Sequence, residues 1–198
     1  VGYLKIYDMY PLSFKEFSKA LGINDRIFDE LKQNFNERKK VDEFIHSKMM
    51  DVFYLYLIIG GMPEAVDVYL KTNDLAKVAE VHEKIIRLYK TDFSKYEIRY
   101  KLKLQEIYDA MPGQLDQKNK RFQLNCIGKG MSYDRVANDF LWLKDAGVVI
   151  PVYNINEPKL PLVISENRNL FKLFCSDVGL LTSRYSNQVK IAILNKDK

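Results

Sequence analysis

The sequence predicts a mostly α chain with a small β component, a helical unit followed by a mixed unit of helices and a hairpin. Two observations carry this. Through the first half, apolar residues recur at spacings of three and four between capping residues and Gly or Pro stops, the pattern of amphipathic helices. After Gly130 the order becomes capped helix, alternating strand, proline-bearing turn and second strand, which calls for sheet pairing. The 198 residues are 47% hydrophobic and 29% charged, so the chain has enough apolar surface for real cores and is not of the disordered class.

Residues 3 to 9 alternate as a short strand that Pro11 ends. Ser13 caps a helix through Phe14, Phe17 and Leu21, which Gly22 closes. A second helix runs from Asp25 to about Phe35, and a third from about Val41 to Ile59. The third becomes apolar on all sides toward its end, which predicts burial there. Gly60-Gly61-Met62-Pro63-Glu64 breaks it and restarts a helix with Pro in the first turn. Asp74 opens another, with Leu75, Val78, Ala79, His82, Ile85, Ile86 and Tyr89 as one buried stripe.

In the second half a basic amphipathic helix extends from about Ile98 to Ala110, where Met111-Pro112-Gly113 is expected to stop it. Ser132 caps a helix with buried positions Val136, Ala137, Phe140, Leu141 and Leu143. Gly147 ends it, Val148 to Ile155 is a strand, Pro158 to Pro161 a turn, and a further strand is expected near Leu162 to Ile164. Helix, helix and hairpin is the order of a winged helix. Phe171 to Cys175 reads as another strand, with Ser176 capping a short helix.

Several function classes lack their residues. Cys126 and Cys175 are the two cysteines and match no metal or redox spacing, which fits a reduced, cytoplasmic interior. The longest apolar run, 52 to 59, is far shorter than the roughly 20 residues of a membrane span. His46 and His82 each stand alone on a helix without a partner at ligand spacing. The net charge of +5 permits an acidic partner such as DNA without requiring one. The chain opens at Val1 in sequence that reads as mid-domain, so a fragment is expected.

Several strings are specific. Tyr10-Pro-Leu-Ser-Phe-Lys-Glu-Phe17, the GGMPE string at 60 to 64, Tyr89 with Asp92 and Lys95-Tyr96, and the Asn-Lys-Arg-Phe string at 119 to 122 occur in order. Trp142 to Gly147 and Phe171 to Leu181 follow. This set resembles a large prokaryotic ATPase family whose members carry an AAA+ module followed by a domain of unknown function. The resemblance covers nearly the whole chain. It implies that 1–12 end a nucleotide-binding core, 13–97 form a helical AAA+ lid, 98–165 a winged helix and 166–198 the start of a nuclease-like domain. ATP and Mg²⁺ would then be held by a phosphate loop upstream of Val1. No G-x-x-x-x-G-K-[ST] string occurs in this chain. Gly128-Lys129-Gly130 lacks the spacing and reads as a turn, so this chain alone is expected to be catalytically silent.

In the family, a lid packs over bound nucleotide. The resemblance makes Gly60, Gly61, Met62 and Pro63 candidate nucleotide contacts. Glycines permit close backbone approach, and Pro63 begins a helix whose first N–H groups face outward. A tight helix–helix turn that touches no ligand is the competing reading. The winged helix implies DNA contact by Lys118, Lys120, Arg121, Arg135 and Asn138, with Arg99, Lys101 and Lys103 just before them. Phosphate tracking needs such cations. Asp134, Asp139 and Asp145 on the same helix as Arg135 would repel phosphate, so a protein partner stays open. Asp177 fits a helix cap better than a metal ligand.

Overall fold

The structure, a computed structural model, describes residues 3–5, 7, 9–93 and 98–197, without the side chains of 98–101. Lys95 and Tyr96, and the side chains of Arg99 and Lys101, lie outside the described residues. The chain is mostly helical with one two-stranded antiparallel sheet. It divides into two units: 1–82 joined by 177–198, and 83–176.

In the first unit, α1 (Phe14–Ala20) starts with a reciprocal capping box between Ser13 and Glu16. Asn24 caps α2 (Asp25–Glu37), and Asp42 caps α3 (Glu43–Ile59) by accepting from Phe44 and Ile45. The GGMPE break leads into α4 (Pro63–Thr72), and Asp74 accepts from Ala76 N at the start of α5 (Leu75–Phe93). The unit closes with α8 (Val178–Thr182) and α9 (Asn187–Asn195). Helix α3 is the hub, packing against α1, α4, α8 and α9. Ile58 and Ile59 are buried there, with Phe17, Ala65, Val66, Val78 and Leu180.

The second unit contains the rest of α5, α6 (Ile98–Asp116), α7 (Tyr133–Asp145), β1 (Val149–Ile155) and β2 (Glu166–Cys175). β1 and β2 pair from Val149↔Cys175 to Ile155↔Glu166, with a register shift after Tyr153. The aromatic core holds Phe93, Tyr108, Phe122, Tyr133, Phe140 and Phe171.

Four expectations change. Pro112 does not stop α6, which continues to Asp116. Proline removes one helical hydrogen bond, and burial of Met111, Gln114 and Leu115 on the same helix offsets that loss. Residues 162–164 are a 3-10 turn, and the second strand is the longer segment from Glu166. That strand pairs with β1, and 177–198 group with the first helices. Leu141 is 53% exposed whereas Asp139 is buried, because α7 turns the Asp139 side toward Lys103. Described residues 3–5, 7 and 9–12 form no strand, since no partner strand lies beside them among the described residues. Among the described residues, no single helix is long and apolar enough to cross a membrane.

Candidate functional site

The GGMPE turn begins where α3 runs out of internal partners. The last carbonyls of a helix need external donors, and three of the last four here have a partner. Tyr56 O accepts from Gly60 N at 2.8 Å, and Leu57 O accepts from the Thr182 hydroxyl at 2.7 Å. Ile59 O lies 2.9 Å from His82 Nε2. A carbonyl can only accept, so Nε2 carries the proton.

The two glycines are required by different crowding. Gly60 has φ +74, and a Cβ there would lie 2.2 Å from Asp177 Oδ1. A Cβ on Gly61 would lie 2.1 Å from Leu12 O. Leu12 N donates to Gly61 O at 2.7 Å, and the Tyr56 hydroxyl donates to Leu12 O at 2.8 Å. From the other side Gly61 N donates to Asp177 Oδ2 at 2.6 Å, and Leu180 N to Asp177 Oδ1 at 2.9 Å. Gly179 completes the fit, since a Cβ on it would come within 2.4 Å of Ile59 O. Three strings far apart in sequence, YPLSF, GGMPE and DVGLL, thus meet at one turn.

Asp177 is buried, and this desolvation raises its pKa above the ordinary carboxylate value against the lowering effect of the Gly61, Leu180 and Gly179 N–H groups. His82 is buried too, and desolvation pushes its pKa below the usual histidine value. What remains accessible is narrower than the sequence implies. Gly60 and Gly61 are buried, Met62 is half-buried and Pro63 exposed. Met62 caps α4 without a side-chain hydrogen bond, and Glu64 sits in the first turn. An acid there offsets the positive helix end, so the accessible edge is a poor seat for a phosphate.

The cationic candidates lie in the second unit. Phe122 N donates to Phe171 O at 3.0 Å, which draws the loop carrying Lys118, Lys120 and Arg121 to the edge of β2. Lys118 is exposed. Lys120 adopts φ +51 and donates its Nζ to Leu115 O at 3.2 Å. Arg121 donates to Asn169 O at 3.0 Å and, with Lys172, lines a cleft of about 430 Å³. Asn138 lines a second cleft of about 420 Å³ with Leu141, Lys144 and Arg168. Arg135 is exposed on α7. The hairpin cations Arg168 and Lys172 were not legible as candidates, because the sequence placed their strand outside the hairpin. Asp139 is no repulsive surface acid: it is buried and pairs with Lys103 at 3.2 Å. Asp134 and Asp145 are exposed.

Gly128 to Met131 form a turn closed by Met131 N donating to Gly128 O at 3.3 Å. Among the described residues no group of three His, Cys, Asp or Glu side chains is placed to hold a metal ion. The family model described as Domain of unknown function (DUF8612) matches residues 50–189. The chain belongs to that family. The DUF8612 match takes in the turn, Asp177 and the whole hairpin, and it stops short of Leu12. No curated protein and no solved structure matches the chain.

Proposed function

We propose that the chain is the lid and winged-helix portion of an AAA+-type ATPase, coupling nucleotide state to DNA. The observation that carries it is the meeting of the YPLSF, GGMPE and DVGLL strings at Gly61. A turn held from two sides by segments this distant in sequence presents a fixed edge, and fixed geometry is what a nucleotide reporter needs. Met62 and Pro63 would meet the base and ribose. The phosphates and Mg²⁺ would be held by a phosphate loop of the nucleotide-binding core that the family resemblance implies. Residues 83–176 then act as the winged helix, with α7 and the hairpin as its reading face and Lys118, Lys120, Arg121, Arg135 and Asn138 on or beside it.

Two measurements test this. In the full-length protein, Met62→Ala and Pro63→Ala should weaken binding of a non-hydrolysable ATP analogue, and unchanged affinity would refute the nucleotide role. Titrating this chain against duplex DNA over a salt series should give affinity that falls steeply as salt rises. Combined Lys118→Glu, Lys120→Glu and Arg121→Glu should abolish it.

A second reading, a protein-interaction module without DNA contact, draws on the exposed apolar side chains of Leu141, Val163 and Ile164 and on the exposed acids Asp134 and Asp145 of α7. Absence of DNA binding even at low salt would favour it.

A further inference from the structure

The chain passes between its two units twice, within α5 after His82 and between Ser176 and Asp177. The residue on the helical side of each crossing is tied by its side chain to the same turn. His82 Nε2 reaches Ile59 O at 2.9 Å, and Asp177 Oδ2 accepts from Gly61 N at 2.6 Å. We propose that His82 and Asp177 are positioning residues that fix both crossings to the Gly60–Pro63 turn, so that nucleotide held against Met62 and Pro63 is sensed where the chain enters the hairpin-bearing unit. This rests on the nucleotide reading above.

The geometry exceeds what a helix cap requires. A cap uses one oxygen, and Asp177 spends Oδ1 on Leu180 N, the cap bond of α8. The second oxygen goes to a backbone N–H 116 residues away in sequence. Only a carboxylate can accept at both positions. An asparagine would turn its NH₂ toward one of the two donors, so Asp177→Asn breaks one link while preserving shape. His82 uses a donor to hold the last carbonyl of α3, a role glutamine can reproduce and leucine cannot. Gly60 and Gly179 lack a Cβ at the points where the two segments touch, so the clamp leaves no slack. A shift of the turn must move Asp177 and His82 or break their bonds.

Coupling between a site and a distant segment is typically worth about fivefold to 150-fold in an equilibrium. The experiment is amide hydrogen exchange of the full-length protein with and without a non-hydrolysable ATP analogue and Mg²⁺, with analogue affinity measured alongside. In the native protein the analogue should slow exchange at Gly61 and Leu180 by about fivefold or more. Asp177→Asn should abolish the slowing at Leu180 and weaken analogue binding, His82→Leu should weaken binding, and His82→Gln should restore it. If the analogue binds, Met62→Ala and Pro63→Ala weaken it, and Leu180 exchange does not respond, the positioning role is overturned and the nucleotide reading stands. A lower melting temperature in Asp177→Asn with the slowing at Leu180 intact assigns the residue a purely structural role and overturns the proposal as well. If the native protein does not bind the analogue, or Met62→Ala and Pro63→Ala leave affinity unchanged, the nucleotide reading fails and takes the inference with it. The exchange response of the native protein decides the matter even where a variant does not fold.

Discussion

In the hairpin-bearing unit, Phe171 touches the rings of Phe122, Tyr133, Phe140 and Tyr153 with centroids 5.1 to 5.8 Å apart. The helical unit has ring contacts as well, Phe14 and Phe17 against Tyr56 at 5.2 to 5.6 Å, but its turn brings backbone to backbone, where Gly61 meets Leu12 and Gly179 meets Ile59. The hairpin core depends on large side chains filling space, and the turn depends on the lack of side chains and on hydrogen bonds to the carbonyls at the end of α3. The two should therefore fail under opposite kinds of substitution. Adding a methyl should break the turn, and removing a ring should break the hairpin core.

The largest effect is expected at the turn. Gly61→Ala places a Cβ 2.1 Å from Leu12 O, a clash with backbone that no rotamer relieves. Destabilisation of about 4 kcal/mol or more, or failure to fold, is expected. Gly179→Ala should behave alike, and chemical denaturation of both variants checks it. Next comes Phe171→Ala, which removes the centre of the aromatic cluster and should cost about 3–5 kcal/mol by the same assay. If Gly61→Ala is mild and Phe171→Ala severe, the contrast between the units does not hold.

How much of this was legible follows from the range of each interaction. Helix starts are local events, and Ser13, Asp25, Asp74 and the Gly60–Pro63 break mark boundaries within a residue or two of α1, α2, α5 and α4. The hairpin partner of β1 was not local. Residues 162–164 are as apolar as a strand, and only the long-range match of Phe171 to Tyr153 and Cys175 to Val149 selects 166–175 instead. The same limit applies to the candidate site. Gly60 to Pro63 stood out as a string, but nothing in its neighbourhood announces that Asp177 and His82 hold it. Asp177 looked like an ordinary cap because its second bond joins residues 116 apart.

The comparison sharpens on a buried charge in the otherwise aromatic unit. Lys103 Nζ lies 3.2 Å from Asp139 Oδ2 and 3.4 Å from Arg135 O. Burial raises the Asp139 pKa, and Lys103 opposes that shift. Lys103→Met leaves a buried carboxylate without its cation, an expected loss of about 1–3 kcal/mol near neutral pH. The loss should shrink on acidification as Asp139 takes up a proton, which denaturation at two pH values would reveal.

In the helical unit His82 should give a pH response of the other kind. Burial holds the His82 pKa below 6.5, with Lys190 lowering it and Asp177 raising it to lesser degrees. The unfolded chain then gains a proton near 6.5 that the folded chain does not accept until lower pH. The stability from the neutral ring is complete above 6.5 and is lost as pH falls through the window down to the folded value. Asp177 carries the opposite sign, because its pKa is raised from 3.8. Its contribution is complete below 3.8 and is lost as pH rises through the folded value. Because the two oppose each other, the His82 part is read as a difference: the melting-temperature advantage of the native protein over His82→Gln should shrink on acidification below about 6.5. A slope unchanged in His82→Gln would place the titrating group elsewhere.

The smallest effect is the best control on the glycine argument. Gly113 lies inside α6, and a Cβ there would meet nothing within 4 Å. It adopts no positive φ, so alanine fits the backbone as it stands. Alanine in a helix interior is favoured over glycine by roughly 0.5–1 kcal/mol, and Gly113→Ala should raise stability by about that amount despite the neighbouring Pro112. If Gly113→Ala destabilises instead, the passage of α6 through Pro112 depends on glycine's freedom. Helix α6 would then be held by its backbone, as the GGMPE turn is, rather than by burial of Met111, Gln114 and Leu115.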